Sequence, residues 1–140
     1  MTTTLWLRIS AVIALLFAAG HTLGGRTHWS PMRENPVLSA MRDTHFRTMG
    51  VSRSYLDFYT GFGYSLSVAQ LMLAVLLRQL ATLARTNAGG VRPMIAVIAI
   101  AMAVTGVIAW RLIFPLPALF SLVLVASLVV AFATTSGSSR

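Results

Sequence analysis

The chain has 140 residues, of which 56% are hydrophobic and only 10% charged; soluble domains carry about 25% charged residues, so the deficit places it in the membrane class. The net charge of +8 does not point to nucleic acid, because the basic residues are all arginines standing between or at the ends of apolar runs, as topology signals and headgroup contacts do. Cysteine and lysine are both absent, which excludes disulfides, thiolate ligands, cysteine nucleophiles and Schiff-base chemistry.

The first apolar run covers residues 5–23, with Trp6 as an interfacial anchor and Arg8 before its core. Ala18-Ala19-Gly20 resembles a signal-peptide cleavage site. Three further apolar spans follow, so the run is read as an uncleaved helix. Gly20-His-Thr-Leu-Gly24 has the GxxxG spacing that lets helices approach closely, and this face is the expected place for a second copy of the chain to dock.

Residues 25–54 form the one long polar segment. Asn35 is a good N-cap, Pro36 suits the first helical position and Gly50 suits the position past the end, so the pattern predicts a short helix over about 36–49. Leu38, Met41, His45 and Met49 fall on one stripe of it, and Asp43 and Arg47 form an i,i+4 pair. Such a helix is amphipathic and interfacial, too short and too polar to span.

The second span covers about 56–80 and carries Asp57, Tyr59, Tyr64 and Gln70, the last expected to make an interhelical hydrogen bond. Pro93 reads as the first position of the third span, about 94–114, which closes on Trp110 and Arg111. Phe114-Pro-Leu-Pro117 reads as a tight turn, followed by a fourth span over about 118–133 and a frayed tail, 134–140. Each span is close to the roughly 20 residues that a bilayer requires. The predicted fold is all-α: a single integral-membrane domain over 1–140, a four-helix transmembrane bundle with a short interfacial helix between helices 1 and 2. The short acid-free loop with Arg78, Arg85 and Arg92 places both termini inside.

Polar groups in a membrane helix normally face protein or water, which makes the second span the place to look for chemistry. Asp57 shares a stripe with Tyr64, and Arg53 lies one turn earlier; the pair is either a surface ion pair or a site for binding or proton transfer. His21, flanked by glycines, is either a capped helix end or a second ligand or proton-transfer group. His28 beside Trp29 reads as interfacial, and His45 as packing on the bundle. The predicted topology brings the three histidines, Asp57, Glu34, Asp43, Trp110 and Arg111 to one side of the membrane. A metal site from two histidines and an acid, or a haem on His21 or His45, is an alternative without a recognised ligand spacing.

Trp6-Leu-Arg8, Gly20-His-Thr-Leu-Gly-Gly25, Trp29-Ser-Pro31 and Arg53-Ser-Tyr-Leu-Asp-Phe-Tyr-Thr-Gly-Phe-Gly63 resemble a family of short bacterial four-helix inner-membrane proteins with no assigned function. In plan the chain is also similar to DoxX-like proteins and to the sterol-isomerase and sigma-2 receptor group. The resemblance implies a multi-pass protein of the bacterial inner membrane. Sterol isomerases bind lipophilic ligands among intramembrane carboxylates and aromatics; here Asp57 is the one candidate intramembrane acid, and no catalytic residue is carried over.

The expected function is therefore a polar pocket near one membrane face that binds or isomerises a lipophilic small molecule. Asp57 and His21 are its catalytic candidates, and Tyr59, Tyr64, His45, Arg111 and Trp110 its ligand-binding residues. The alternatives are an accessory membrane subunit without catalysis and the haem or metal protein above.

Overall fold

A computed structural model describes residues 2–135; the rest of the expected frayed tail, with Arg140, lies outside the described residues. Five α-helices are described: α1 (Thr2–Gly24), α2 (Pro36–Asp43), α3 (Tyr55–Leu83), α4 (Ala88–Leu112) and α5 (Pro115–Thr134). Two short strands, β1 (His45–Thr48) and β2 (Val51–Ser54), lie between α2 and α3. Helices α1, α3, α4 and α5 are long and apolar enough to cross a membrane.

Helix α2 is shorter than the helix the sequence predicts over 36–49. Asn35 caps it as expected, accepting from the N–H groups of Val37 and Leu38 at 3.0 and 3.2 Å, with Pro36 at its start. It then stops at Asp43, because residues 45–54 pair as an antiparallel hairpin in the register His45↔Ser54 to Thr48↔Val51. Met49 and Gly50 form its two-residue loop with φ of 49° and 81°, the sign that such hairpin turns demand and that glycine supplies without strain. Gly50 is thus a hairpin residue, not a helix terminator. The predicted stripe is broken: Leu38 is buried, Met49 is 99% exposed and His45 is a strand residue; Arg47 is also in β1, so it has no i,i+4 helical relation to Asp43. A lone hairpin is marginal in water. Phe46 anchors this one, its ring 5.1 Å from Tyr55 and 5.8 Å from Phe58.

The third and fourth spans start earlier than the prolines indicate. Asn87 accepts from the Gly90 N–H at 2.8 Å and begins α4 at Ala88, so Pro93 falls inside the helix and forfeits a single bond to the carbonyl of residue 89. Phe114 is the N-cap of α5, and Pro115 and Pro117 lie in its first turn, where backbone N–H groups have no helical partner anyway. The predicted tight turn shrinks to Ile113 and Phe114.

The chain divides into two compact units, Ala18–Gln70 and the remainder, with α1 and α3 contributing to both. The remainder (up to Phe17 and from Leu71 on) holds an apolar core. Leu7, Ala11 and Ala14 of α1, Ala74, Leu77 and Ala81 of α3, Val91, Ile95 and Met102 of α4, and Leu124, Leu128 and Ala131 of α5 are all buried in it. Their three- and four-residue spacing is that of a helix seam, and the alanines let backbones come close. Within the same unit Ser10 and Ser127 share a hydrogen bond of 2.7 Å, Thr3 and Thr134 one of 2.9 Å, and Phe17 stacks on Phe120 at 5.2 Å. Outward-facing Val12, Leu16, Val97, Ile100, Leu122 and Val129 are exposed, as a lipid-facing surface requires.

Candidate functional site

The Ala18–Gln70 unit gathers five of the seven candidate residues, and the start of α3 organises part of it. Ser54 is buried, and its Oγ accepts from the Asp57 N–H at 3.0 Å. Asp57 Oδ2 in turn accepts from the Ser54 N–H at 2.9 Å. This reciprocal pair is a capping box, which satisfies two orphan donors at a helix start. The Arg53–Asp57 ion pair, one of the two readings of these residues, is not formed: the one ion pair among the described residues joins Arg42 to Glu34 at 3.0 Å, and Arg53 donates to the carbonyl of Ser52. Asp57 is exposed and holds the helix end.

Below the box, Arg53, Asp57, Phe58, Gly61, Phe62 and Ser65 line a groove of about 320 Å³. Their spacing puts them on one stripe of α3 and the residues leading into it. Phe58 and Phe62 meet edge to face at 4.8 Å, and Gly61 has no neighbour within 4 Å of where a Cβ would stand. Ser65 turns its hydroxyl back to the Gly61 carbonyl at 2.8 Å. The groove therefore runs from a charged end, with a cation and an anion, to an aromatic wall over a glycine floor.

A second cluster forms around Trp29. The chain leaves α1 through a single 3-10 turn (Gly25–Thr27), and His28 and Trp29 both adopt left-handed backbone, φ 49° and 53°. That conformation costs about 1–2 kcal/mol per non-glycine residue, so contacts elsewhere must hold it. The Trp29 indole supplies them. Its N–H donates to the His21 carbonyl at 2.9 Å, and its ring lies 5.2 Å from His21, 5.2 Å from Tyr64 and 6.0 Å from Tyr59. The indole occupies the space where a side chain on Gly63 would begin, and a Cβ on Gly25 would stand 2.9 Å from the Tyr64 ring. His21 Nδ1 is 3.0 Å from the buried Ser67 hydroxyl, and His28 Nδ1 is 3.3 Å from Thr60 Oγ1. Trp29 is thus the wedge of this cluster, and His28, read as interfacial from sequence, stands beside it.

The other candidates lie elsewhere. His45, expected to pack on the bundle, is exposed, with Nδ1 3.1 Å from the Asp43 carbonyl. Trp110 and Arg111 belong to the other unit and line a groove of its own residues. Gln70 is buried but its Oε1 has no partner, so the expected interhelical bond is not made by that oxygen. Among the described residues no group of three or more His, Asp or Glu is placed to hold a metal ion. Glu34 receives two bonds from Arg42, at 3.3 and 3.0 Å, and these hold its carboxyl below the usual range and raise the guanidinium.

No protein-family model, curated protein or solved structure matches this chain, so the site is read from its geometry. The sequence alone gives Ser54, Trp29, Gly63 and Ser67 no role in a site. Ser54-x-x-Asp57 was legible as a capping box. The pairing of Trp29 with Gly63 joins residues 34 positions apart and leaves no local signal.

Proposed function

We propose that this is a multi-pass protein of a bacterial inner membrane whose α3 groove binds a lipophilic small molecule with a polar end. One observation carries the reading: a stripe on which Arg53 and Asp57 adjoin Phe58, Gly61 and Phe62 around about 320 Å³ of open space. The volume falls at the lower end of the roughly 300–1,000 Å³ of small-molecule sites, and the mix of aromatic wall and few polar groups is theirs too. Binding fits the geometry better than isomerisation: a proton shuttle needs its acid and base within reach of one substrate, whereas Asp57 lines the α3 groove and His21 sits on Ser67 beside Trp29.

The second reading is an accessory subunit without a ligand. What favours it is that the polar groups around Trp29 are satisfied within the chain, as scaffolding would be. Native mass spectrometry of protein released from its own membranes separates the two. The test variant is Gly61→Leu, which fills the groove where no atom stands in the way and removes a helix glycine. A discrete added mass on the wild type that Gly61→Leu loses, with its melting temperature held or raised, is the expected result. Bare protein in both samples overturns the binding proposal and leaves the accessory one.

A further inference from the structure

The second groove lies between α4 and α5 and has a different character. Met102, Ala103, Gly106, Trp110 and Arg111 of α4 face Ala118 and Ser121 of α5 around about 520 Å³. At 1.5 Å per residue, the stretch from Met102 to Arg111 is roughly 13 Å long. The helices touch at Gly106, where a Cβ would stand 3.1 Å from that of Ser121. The groove opens beside this contact, apolar along most of its length, with Trp110 and Arg111 at the end where α4 finishes. Trp and Arg at a helix end mark headgroup depth.

Two observations point to an occupant. The first is charge. The three acids, Glu34, Asp43 and Asp57, all lie in the Ala18–Gln70 unit, so the unit that holds the groove has arginines and no acid of its own. Arg111 makes no ion pair or hydrogen bond among the described residues, and its fork suits an oxyanion such as phosphate. The second is Ser121. It is 1% exposed, lines the groove, and its Oγ has no hydrogen-bond partner. Ser10, Thr105 and Ser127 each bond a carbonyl one turn back, at 2.8–2.9 Å; Ser121 does not. A hydroxyl left unmade in hydrocarbon is costly, so it needs an acceptor from outside the protein.

We infer that this groove binds one anionic phospholipid of the bilayer, with its phosphate on Arg111, its headgroup region beside Trp110 and an acyl chain along Met102, Ala103 and Gly106. The Ser121 hydroxyl donates to an oxygen of the lipid's ester region. A free phosphate ion satisfies Arg111 but neither fills the apolar channel nor reaches Ser121.

The test uses the full-length protein, delipidated in neutral detergent and titrated with phosphatidylglycerol, with phosphatidylcholine of the same chains, and with inorganic phosphate. Lipid adducts are counted by native mass spectrometry, and melting temperature is followed in parallel. A basic residue near the headgroups contributes about 1 kcal/mol toward anionic lipid, so phosphatidylglycerol should bind roughly fivefold tighter than phosphatidylcholine. Arg111→Gln should erase that ratio. Ala103→Leu, at an exposed position on the groove wall, should weaken both lipids. Ser121→Ala should raise the melting temperature of the delipidated protein while weakening the lipid adduct, opposite signs that a purely packing serine would not give. Gly61→Leu, in the α3 groove, should leave the ratio unchanged. Equal binding of the two lipids, an Arg111→Gln ratio like wild type, or stabilisation by inorganic phosphate equal to that by lipid each overturns the assignment. So does loss of the adduct in Gly61→Leu with Ala103→Leu unaffected.

Discussion

The two units hold themselves together by different means. Ala18–Gln70 contains every acid, histidine and tyrosine of the chain. It is fixed by caps, a hairpin and one indole pressed into glycines. The other unit is fixed by a seam of leucine and alanine with a few serine and threonine bonds. Lipid tails are as apolar as leucine, so burial alone does not drive helices together in a bilayer, and fit must do so. The Leu-Ala seam distributes that fit over many small contacts. The Trp29 cluster concentrates it in one place, and should fail more abruptly.

Gly63→Leu is the sharpest way to break this contrast. The new side chain begins inside the Trp29 indole, so either the indole leaves its place or the helix shifts. Overpacking of this kind costs about 3 kcal/mol or more. Thermal unfolding in detergent, followed by tryptophan fluorescence, should show a large drop and a changed emission from the native state. Gly61→Leu, two residues away in open space, should be neutral or stabilise by up to about 1 kcal/mol. Similar losses from both would show that helix glycines matter for flexibility and not for the Trp29 socket. Next in size is Leu124→Ala in the other unit. Leu124 is fully buried, but in lipid its truncation forfeits packing more than burial, so we expect about 2 kcal/mol, the low end for such cavities. A loss larger than that of Gly63→Leu would reverse the comparison.

These magnitudes also explain what the sequence disclosed. Helices α1, α3, α4 and α5 were legible because length and apolarity are properties of a continuous run, and no tertiary contact is needed to see them. The error over 36–49 came from reading Leu38, Met41, His45 and Met49 as period 3.6. Met49-Gly50 also offers a two-residue turn between Phe46 and Thr48 on one side and Val51 on the other, and that hairpin prevails once Phe46 finds Tyr55 and Phe58. Pro93 and Pro117 misled because a proline marks where a helix tolerates a missing N–H, whereas Asn87 decides where one begins. For the site, spacing alone groups Asp57 with Tyr64, whereas Asp57 lines the α3 groove with Phe58 and Phe62 and Tyr64 packs on Trp29. The separation of Trp110 and Arg111 into a groove of their own was not legible either, because it depends on how α4 meets α5.

The capping box gives a smaller and more local test. Ser54→Ala removes the acceptor for the Asp57 N–H and should cost about 1 kcal/mol. Asp57→Asn keeps an oxygen that can accept from the Ser54 N–H and should cost less. Arg53→Gln should cost nothing measurable, because Arg53 bonds a neighbouring carbonyl and not Asp57. A loss for Arg53→Gln equal to that for Asp57→Asn would restore the Arg53–Asp57 ion pair, one of the two readings of the sequence.

The smallest measurable effect belongs to Glu34 and Arg42, both largely exposed, where solvent and salt weaken the pair. Its signature is pH dependence. Arg42 hydrogen bonding holds the folded Glu34 carboxyl below its unfolded value of about 4.3. A depressed folded pKa means that the unfolded state binds the proton more readily. The contribution is therefore complete above the unfolded value and is lost as pH falls through the folded one. The melting-temperature difference between wild type and Glu34→Gln should be constant near neutrality, shrink below about pH 4 and shrink again in high salt. A difference that survives acid and salt alike would mean that Glu34 acts by shape, holding the approach to α2 in place whatever its charge.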